Sequence, residues 1–409
     1  METVFGRMRL AYRVSRHTFR VRVLPLFAAW MWLNIRIVVA IGQLLDPIFF
    51  PKLRRVEVKR PIVLVGNPRT GTTFLQRFLS EHGYGAGNEL YRMLYASLLL
   101  QTIIKPFLPI LEAVSPARYH KTPAHDTSLD GVETDDVALL FRYFDGFFLY
   151  GFFLAFAEED LKDHFDPKHR DVSQRDFDWL EAVWKRSLVG HGSDTVIAKL
   201  FSLGPRLPQF LERFPEARVL YMARDPLNTI PSGMSLVSGV LDKAFGFWSL
   251  PEEIQQRWLT RLYRGLVDLQ LEFTEQWNEG KIDRDRVYVV RYDRMMADFD
   301  GMMAEMHTFL GEEPTEAQQQ AIDERAEKQR AYKSGHKYDL SKFGLDADKI
   351  REDCAPFYET FLPPLGGAGA AGAAEEAPAE AAEAAAEAAE ATAEAEDEGD
   401  GATPTAADG

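Results

Sequence analysis

Four short apolar runs punctuate the middle of the chain, at residues 62–65, 195–198, 219–222 and 287–290. They are rich in β-branched residues and show no polar face, the pattern of strands buried on both sides of a parallel sheet. Between and after them, residues 72–81, 206–214, 254–279 and 294–310 carry apolar positions at helical spacing. Strands separated by helices predict an α/β domain of three layers around a central parallel sheet. In such sheets ligands collect at the carboxyl ends of the strands, so the chemistry is expected there.

Both ends of the chain depart from this texture. Near the N-terminus Arg9, Arg13, Arg16 and Arg20 follow one helical face, while Phe5, Met8, Tyr12 and Phe19 lie largely on another. That is the pattern of a basic amphipathic helix on an anionic membrane surface. An apolar run over 23–45 follows, interrupted by Pro25, Asn34, Arg36 and Gln43. It is long enough to span a bilayer, but Arg36 near its middle would cost roughly 2.5–3.5 kcal/mol on insertion. Basic residues flank both of its ends and no small-residue cleavage site follows, so a monotopic or hairpin attachment is expected over a true span. The competing expectation is a helix packed on the main domain. At the other end the chain becomes an Ala/Glu-rich tract without aromatic residues, which predicts a disordered acidic tail. The expected organisation is a helical N-terminal segment over 1–60, one domain over 61–364 and the tail over 365–409.

Charge changes this picture in one respect. The chain of 409 residues has 62 acidic and 47 basic side chains, a net charge of −15. Residues 366–409 hold twelve of the acids and no base, and without them 50 acids face 47 bases. The first sixty residues instead carry twelve bases against Glu2, Asp46 and Glu57. A nucleic-acid-binding domain needs basic charge spread over its fold, which this chain lacks, so no nucleic-acid partner is expected. One cysteine, Cys354, rules out an internal disulfide framework or a thiolate zinc site. Absence of an Asn-x-Ser/Thr sequon disfavours a secreted glycoprotein. The expected location is the cytoplasm, peripheral at the inner face of the membrane.

The first strand runs directly into Gly66-Asn-Pro-Arg-Thr-Gly-Thr-Thr73, and a helix starts at once. A strand, a glycine-bounded loop and a helix N-terminus together make an anion site. The spacing is that of a P-loop, but Thr72 stands where a nucleoside triphosphatase has its lysine, and Arg69 lies inside the loop instead. The third strand ends in Arg224-Asp225-Pro226, with Ser232 eight residues after Arg224. A guanidinium at a strand end and a hydroxyl in the next helix can hold a second phosphate. Taken singly, Arg224 is as readily an ion-pair partner of Asp225, and Ser232 a helix cap.

Taken together, these motifs resemble the sulfotransferase family that uses 3′-phosphoadenosine-5′-phosphosulfate (PAPS). Residues 61–75 look like that family's 5′-phosphosulfate loop, and 217–232 like its 3′-phosphate segment. Val289 to Arg294 and Tyr338 to Gly344 are similar to weaker downstream signatures, so the resemblance covers about 61–364. It implies PAPS as co-substrate and no metal. It assigns the 5′-phosphosulfate to the backbone of Thr70, Gly71, Thr72 and Thr73 and the hydroxyls of Thr72 and Thr73. Arg69 and Lys199 would stabilise charge at the transferring group, and Arg224 with Ser232 would select the 3′-phosphate. The cytosolic branch has its catalytic histidine two residues beyond that lysine, where this chain has Phe201. The tyrosylprotein and some bacterial branches use a glutamate after the donor helix, which points to Glu89 as the base, its pKa raised by burial. Glu133, Asp135 and Asp136 are the alternative carboxylates.

Further readings stay open at this level. His120 and His125 beside Asp126 imitate metal ligands, although nothing completes such a site. Nine aromatic residues between Val137 and Ala157 are too many all to point inward, so some should line a lid over an apolar acceptor pocket. With the apolar stretch at 97–111, this suggests a lipophilic alcohol or lipid headgroup as acceptor. The rival functions are a P-loop kinase or nucleoside triphosphatase, and an inert membrane-peripheral nucleotide-binding protein.

Overall fold

A computed structural model describes residues 3–114, 128–330 and 340–363. His120, His125, Asp126, Tyr338 and the acidic tail lie outside these residues. Four parallel strands, β1 (Ile62–Val65), β2 (Ile197–Lys199), β3 (Arg218–Ala223) and β4 (Val287–Arg291), form one sheet in the order β2-β1-β3-β4. The register sets Leu64 opposite both Lys199 and Leu220, and Ala223 opposite Arg291. All four carboxyl ends therefore open on one edge. From β1 the chain goes to one side for β2 and to the other for β3, a switch point at the centre of that edge.

Alternation along each strand builds two cores at once. Val63, Val65, Ala198, Val219 and Tyr221 face a layer containing Trp184, Phe210 and Phe214. Ile62, Leu64, Ile197, Leu220 and Met222 face the opposite layer, with Phe78, Phe299 and Met303. Burial on both faces is why the strands read as unbroken apolar runs. At about 1.5–3 kcal/mol per fully buried large side chain, these layers are the main source of the fold's stability. A third cluster around Phe156, Phe247 and Trp258 packs the aromatic segment against the helix Glu252–Asn278.

The elements follow the expected pattern with one break. The anticipated helix over 294–310 is two helices, Tyr292–Ala297 and Phe299–Leu310. Asp298 separates them and caps the second, accepting from the Gly301 N–H at 3.3 Å. An aspartate competes with helical backbone bonds in this way and favours a cap.

The N-terminal segment packs on the domain. Helix α1 (Val4–His17) buries Leu10, Ala11 and Val14. Its Arg7 is also buried, donating to the carbonyls of Phe144 (2.7 Å) and Tyr143 (2.9 Å) beside Asp145 (3.6 Å). Arg9, Arg13 and Arg16 remain exposed. Helix α2 (Leu24–Phe49) buries only Val39, Gly42 and Asp46.

Candidate functional site

The loop after β1 is shaped by backbone conformations that few residues accept. Arg69 has φ 73° and Gly71 has φ 86°. Alternating left-handed residues of this kind turn successive N–H groups into one concavity. Gly71 is required for a second reason, since a Cβ there would lie 2.8 Å from Met295 Cε and 3.1 Å from the Tyr292 ring. Gly71 also caps α3 (Thr72–Glu81), so the concavity opens on a helix N-terminus. The Thr70 hydroxyl donates to the Asn67 carbonyl at 2.7 Å, and the Asn67 amide donates to Leu266 O at 2.7 Å. These bonds fix the loop to itself and to the helix Glu252–Asn278.

Arg224 leaves the end of β3 and meets this loop. Its Nη1 donates to the Arg69 carbonyl at 2.7 Å, and its guanidinium stacks 4.0 Å from the centre of the Tyr292 ring. Asp225 does not pair with it. That carboxylate instead caps the helix Pro226–Phe245 through the Leu227 N–H (2.8 Å) and takes a close hydrogen bond from the Tyr358 hydroxyl. Arg224 is only 4% exposed and has no carboxylate partner among the described residues. Ser232 is no helix cap either: it is fully buried, and Arg69 Nε donates to its hydroxyl at 3.0 Å. The two phosphate motifs, separated by 163 positions, are thus in direct contact.

Lys199 completes the edge. Buried at the end of β2, it donates from Nζ to the Thr73 hydroxyl at 3.0 Å. The acidic cluster holds it there. Asp135 accepts from the Lys199 N–H (3.0 Å), Asn88 Nδ2 (2.7 Å) and Trp184 Nε1 (2.9 Å). Asp136 accepts from the Phe201 N–H (2.7 Å) and the Thr134 hydroxyl (2.9 Å), and closely from the Ser202 hydroxyl. Burial pushes Asp135 up to about 6, the bonds from Lys199, Trp184 and Asn88 acting against it. Burial also raises Asp136. Both aspartates thus brace the chain where it leaves β2.

Glu89 lies next to this brace, one residue beyond Asn88. Its carboxylate forms an ion pair with Arg92 Nε at 2.6 Å and lies 3.1 Å from His191 Nε2. The expected upward pKa shift is reversed. Burial does raise it, but the His191 hydrogen bond and the Arg92 charge outweigh burial and leave it below the ordinary value of 4.5.

Comparison with known proteins fits this geometry. A family model described as "Sulfotransferase family" matches residues 61–316. The chain belongs to the sulfotransferase family. Among curated relatives of this chain, the omega-hydroxy-beta-dihydromenaquinone-9 sulfotransferase Stf3 of Mycobacterium bovis is 25% identical over 262 residues. The protein of that name from Mycobacterium tuberculosis matches to the same extent. The match covers 61% of this chain and 62% of the relative's length. Among solved structures, sulfotransferase STF1 of Mycobacterium tuberculosis shares the fold with a TM-score of 0.63 and 19% identity, over 86% of this chain and 91% of that one. Sulfotransferase STF9 of Mycobacterium avium gives a TM-score of 0.56 and 19% identity, over 79% and 82%.

Several residues at this edge of the sheet had no role in the sequence reading. Tyr292 lies within the 289–294 segment, yet nothing in its spacing shows that it stacks on Arg224. Asn67, Asn88 and Trp184 are likewise defined only by tertiary contact. In the aromatic segment Phe147, Tyr150 and Phe156 are buried and the other six aromatic residues are partly exposed, so part of it is core and part faces outward. A bend of 81° separates Asp136–Tyr143 from residues 148–156. Trp258 Nε1 bonds Phe152 O at 2.8 Å, and Arg261 Nη1 bonds Ala155 O at 3.0 Å, holding the segment against the helix behind it. Toward the site, the Phe148 ring centre lies 6.5 Å from that of Phe201, which is 5.7 Å from Lys199 Nζ.

Proposed function

We propose that this protein transfers a sulfuryl group from PAPS to a hydroxyl of a lipophilic, lipid-class acceptor. The observation that carries the donor assignment is Arg224, a buried guanidinium with no carboxylate partner among the described residues, held against the phosphate loop by the Arg69 carbonyl and the Tyr292 ring. Holding a cation there costs desolvation energy, which a bound dianionic phosphate offsets. With Ser232 it would hold the 3′-phosphate that distinguishes PAPS from ATP.

The donor supplies sulfate already activated on a phosphate, and the chain's part is positioning and charge stabilisation. Amides of Thr70 to Thr73 and the N-terminus of α3 receive the 5′-phosphosulfate. Arg69 and Lys199 stabilise charge on the oxygen that leaves sulfur. Arg69 is always protonated and serves by electrostatics, not as an acid. The acceptor oxygen forms a bond to sulfur as the sulfur–oxygen bond to the 5′-phosphate breaks, and its proton passes to Glu89. With its pKa lowered, that carboxylate is ionised throughout the neutral range.

One observation supports a lipophilic acceptor: Phe148 and Phe201 carry an apolar wall up to Lys199. The name of the curated relative, a hydroxylated dihydromenaquinone sulfotransferase, points to the same class.

Calorimetric titration with adenosine 3′,5′-bisphosphate (PAP), ADP, and ATP with Mg²⁺ tests the donor. PAP is expected to bind far more tightly than either diphosphate or triphosphate. Equal binding of PAP and ADP would contradict the proposal.

A further inference from the structure

We propose that α2 and the segment packed beside it form an in-plane docking surface for an anionic lipid bilayer, with α2 lying along the membrane instead of crossing it. The donor chemistry plays no part in this inference, which stands or falls separately.

The surface is apolar and uncovered among the described residues. On α2, Leu26, Phe27, Trp30, Ile37, Ile41 and Leu44 are each more than half exposed. Helix Leu98–Ile104 packs on α2, and Ile103, Phe107 and Ile110 extend the same apolar texture from a remote part of the sequence. An apolar face of this size demands a partner.

Polar bonds on the other face show how α2 is held. Trp32 Nε1 donates to Phe141 O at 2.9 Å, and Gln43 Nε2 donates to Ala96 O at 2.7 Å. Asp46, fully buried, accepts from the Ser97 hydroxyl (2.8 Å), the Leu99 N–H (3.0 Å) and Arg186 Nε (2.8 Å). Gly42 permits this approach, because a Cβ there would come within 2.5 Å of Ser97 Oγ. From Trp32 to Asp46 the helix is tied to the domain over about 21 Å of its roughly 39 Å length. Crossing a hydrocarbon core of about 30 Å would require those bonds to break and would strip Asp46 and Arg186 of each other.

Charge identifies the occupant. Asp46 is the only acidic residue between Thr3 and Val56, and it is buried. Exposed Arg16, Arg20 and Arg22 precede α2, and exposed Lys52, Arg54 and Arg55 follow it. Basic residues at both ends give a spanning helix no orientation. In a helix lying in the plane, both ends reach one layer of anionic headgroups. A second copy of this chain would bring the same positive charges together.

Flotation of the full chain with sealed vesicles tests the proposal. Vesicles of phosphatidylcholine with phosphatidylglycerol should bind it, and phosphatidylcholine alone should bind it more weakly. Replacing Arg20, Arg22 and Arg54 with Gln should lower binding by about fivefold per charge. The triple variant Phe27→Glu, Ile37→Glu, Ile41→Glu should lower it by more than about a hundredfold, with an unchanged melting temperature and unchanged PAP binding. Cysteines introduced as Val23→Cys and Phe49→Cys report orientation, since the native Cys354 is buried. Both should react with an impermeant maleimide added outside intact vesicles. Labelling of one site only after the vesicles are opened would overturn the in-plane reading. Failure of the native chain to float would overturn the surface itself. So would a native dimer in light scattering that the triple variant converts to a monomer.

Discussion

Replacing Arg224 with alanine probes the donor site where its architecture is most specific. In the proposed account the side chain has two duties. It would hold the 3′-phosphate, and it donates at 2.7 Å to the carbonyl of Arg69, a residue kept at φ 73°. A non-glycine residue in that conformation costs about 1–2 kcal/mol, so loss of the bond lets the loop relax. Simple comparison of PAP affinities would mix the two effects. A cycle separates them: native protein and Arg224→Ala, each titrated with PAP and with 5′-AMP, which lacks only the 3′-phosphate. Loop relaxation affects both ligands and cancels. What remains is a charge-assisted phosphate contact, about 1.5–3 kcal/mol, or a loss of about ten- to 150-fold in selectivity for PAP over 5′-AMP. Isothermal calorimetry reads each corner, and melting temperatures verify folding. If the selectivity of the variant stays within about twofold of native, the spread of independent sites, Arg224 does not read the 3′-phosphate.

Other consequences are equally direct. Glu89→Gln keeps the shape of the side chain but cannot take a proton, so kcat should fall about 10²–10⁴-fold with PAP affinity unchanged. Because Arg92 and His191 hold Glu89 below its ordinary pKa, the acid limb of the pH–rate profile should lie below the usual glutamate range. Lys199→Ala should lower kcat by more than it weakens PAP binding, measured in single-turnover assays, since the charge it meets develops in transfer. Asp135, raised from 3.8 to about 6, favours the folded state in acid, and this contribution is lost as pH rises through about 6. The stability of Asp135→Asn relative to native should therefore improve between about pH 4 and 6, as read from urea melts. Asp46→Ala strands the Arg186 guanidinium under α2 and should cost about 3–5 kcal/mol in the same melts.

How much of this was legible beforehand depends on the range of the interaction involved. The four strands and α3 could be read from the chain because burial on both faces and helical periodicity are local patterns. The phosphate loop was legible for the same reason: glycine spacing, a preceding strand and a following helix are adjacent in sequence. Resemblance to a family then linked Arg69 with Ser232, which the structure places in contact. What could not be read depends on tertiary approach. Tyr292 reaches Arg224 only because β3 and β4 are neighbours. Asp135 and Asp136 had the composition of a reactive cluster, yet the structure uses them to receive amides at the exit of β2. Burial alone predicted a raised Glu89, and the answer changed sign because His191, 102 residues away, approaches it. The aromatic segment was legible in its count, which is too high for every ring to point inward. Phe147, Tyr150 and Phe156 are buried and six remain partly exposed, although the sharp bend that arranges them has no local signal.

The central claim is transfer of sulfate from PAPS to a lipid hydroxyl, and product analysis tests it most directly. Full-length protein is incubated with PAPS and a membrane lipid extract, and both phases are followed by mass spectrometry. The account predicts that PAP accumulates in step with a lipid species heavier by one SO₃ group, and that Arg224→Ala and Glu89→Gln suppress both. PAPS left intact by the native protein across the extract, or PAP released without any sulfated lipid, would contradict it.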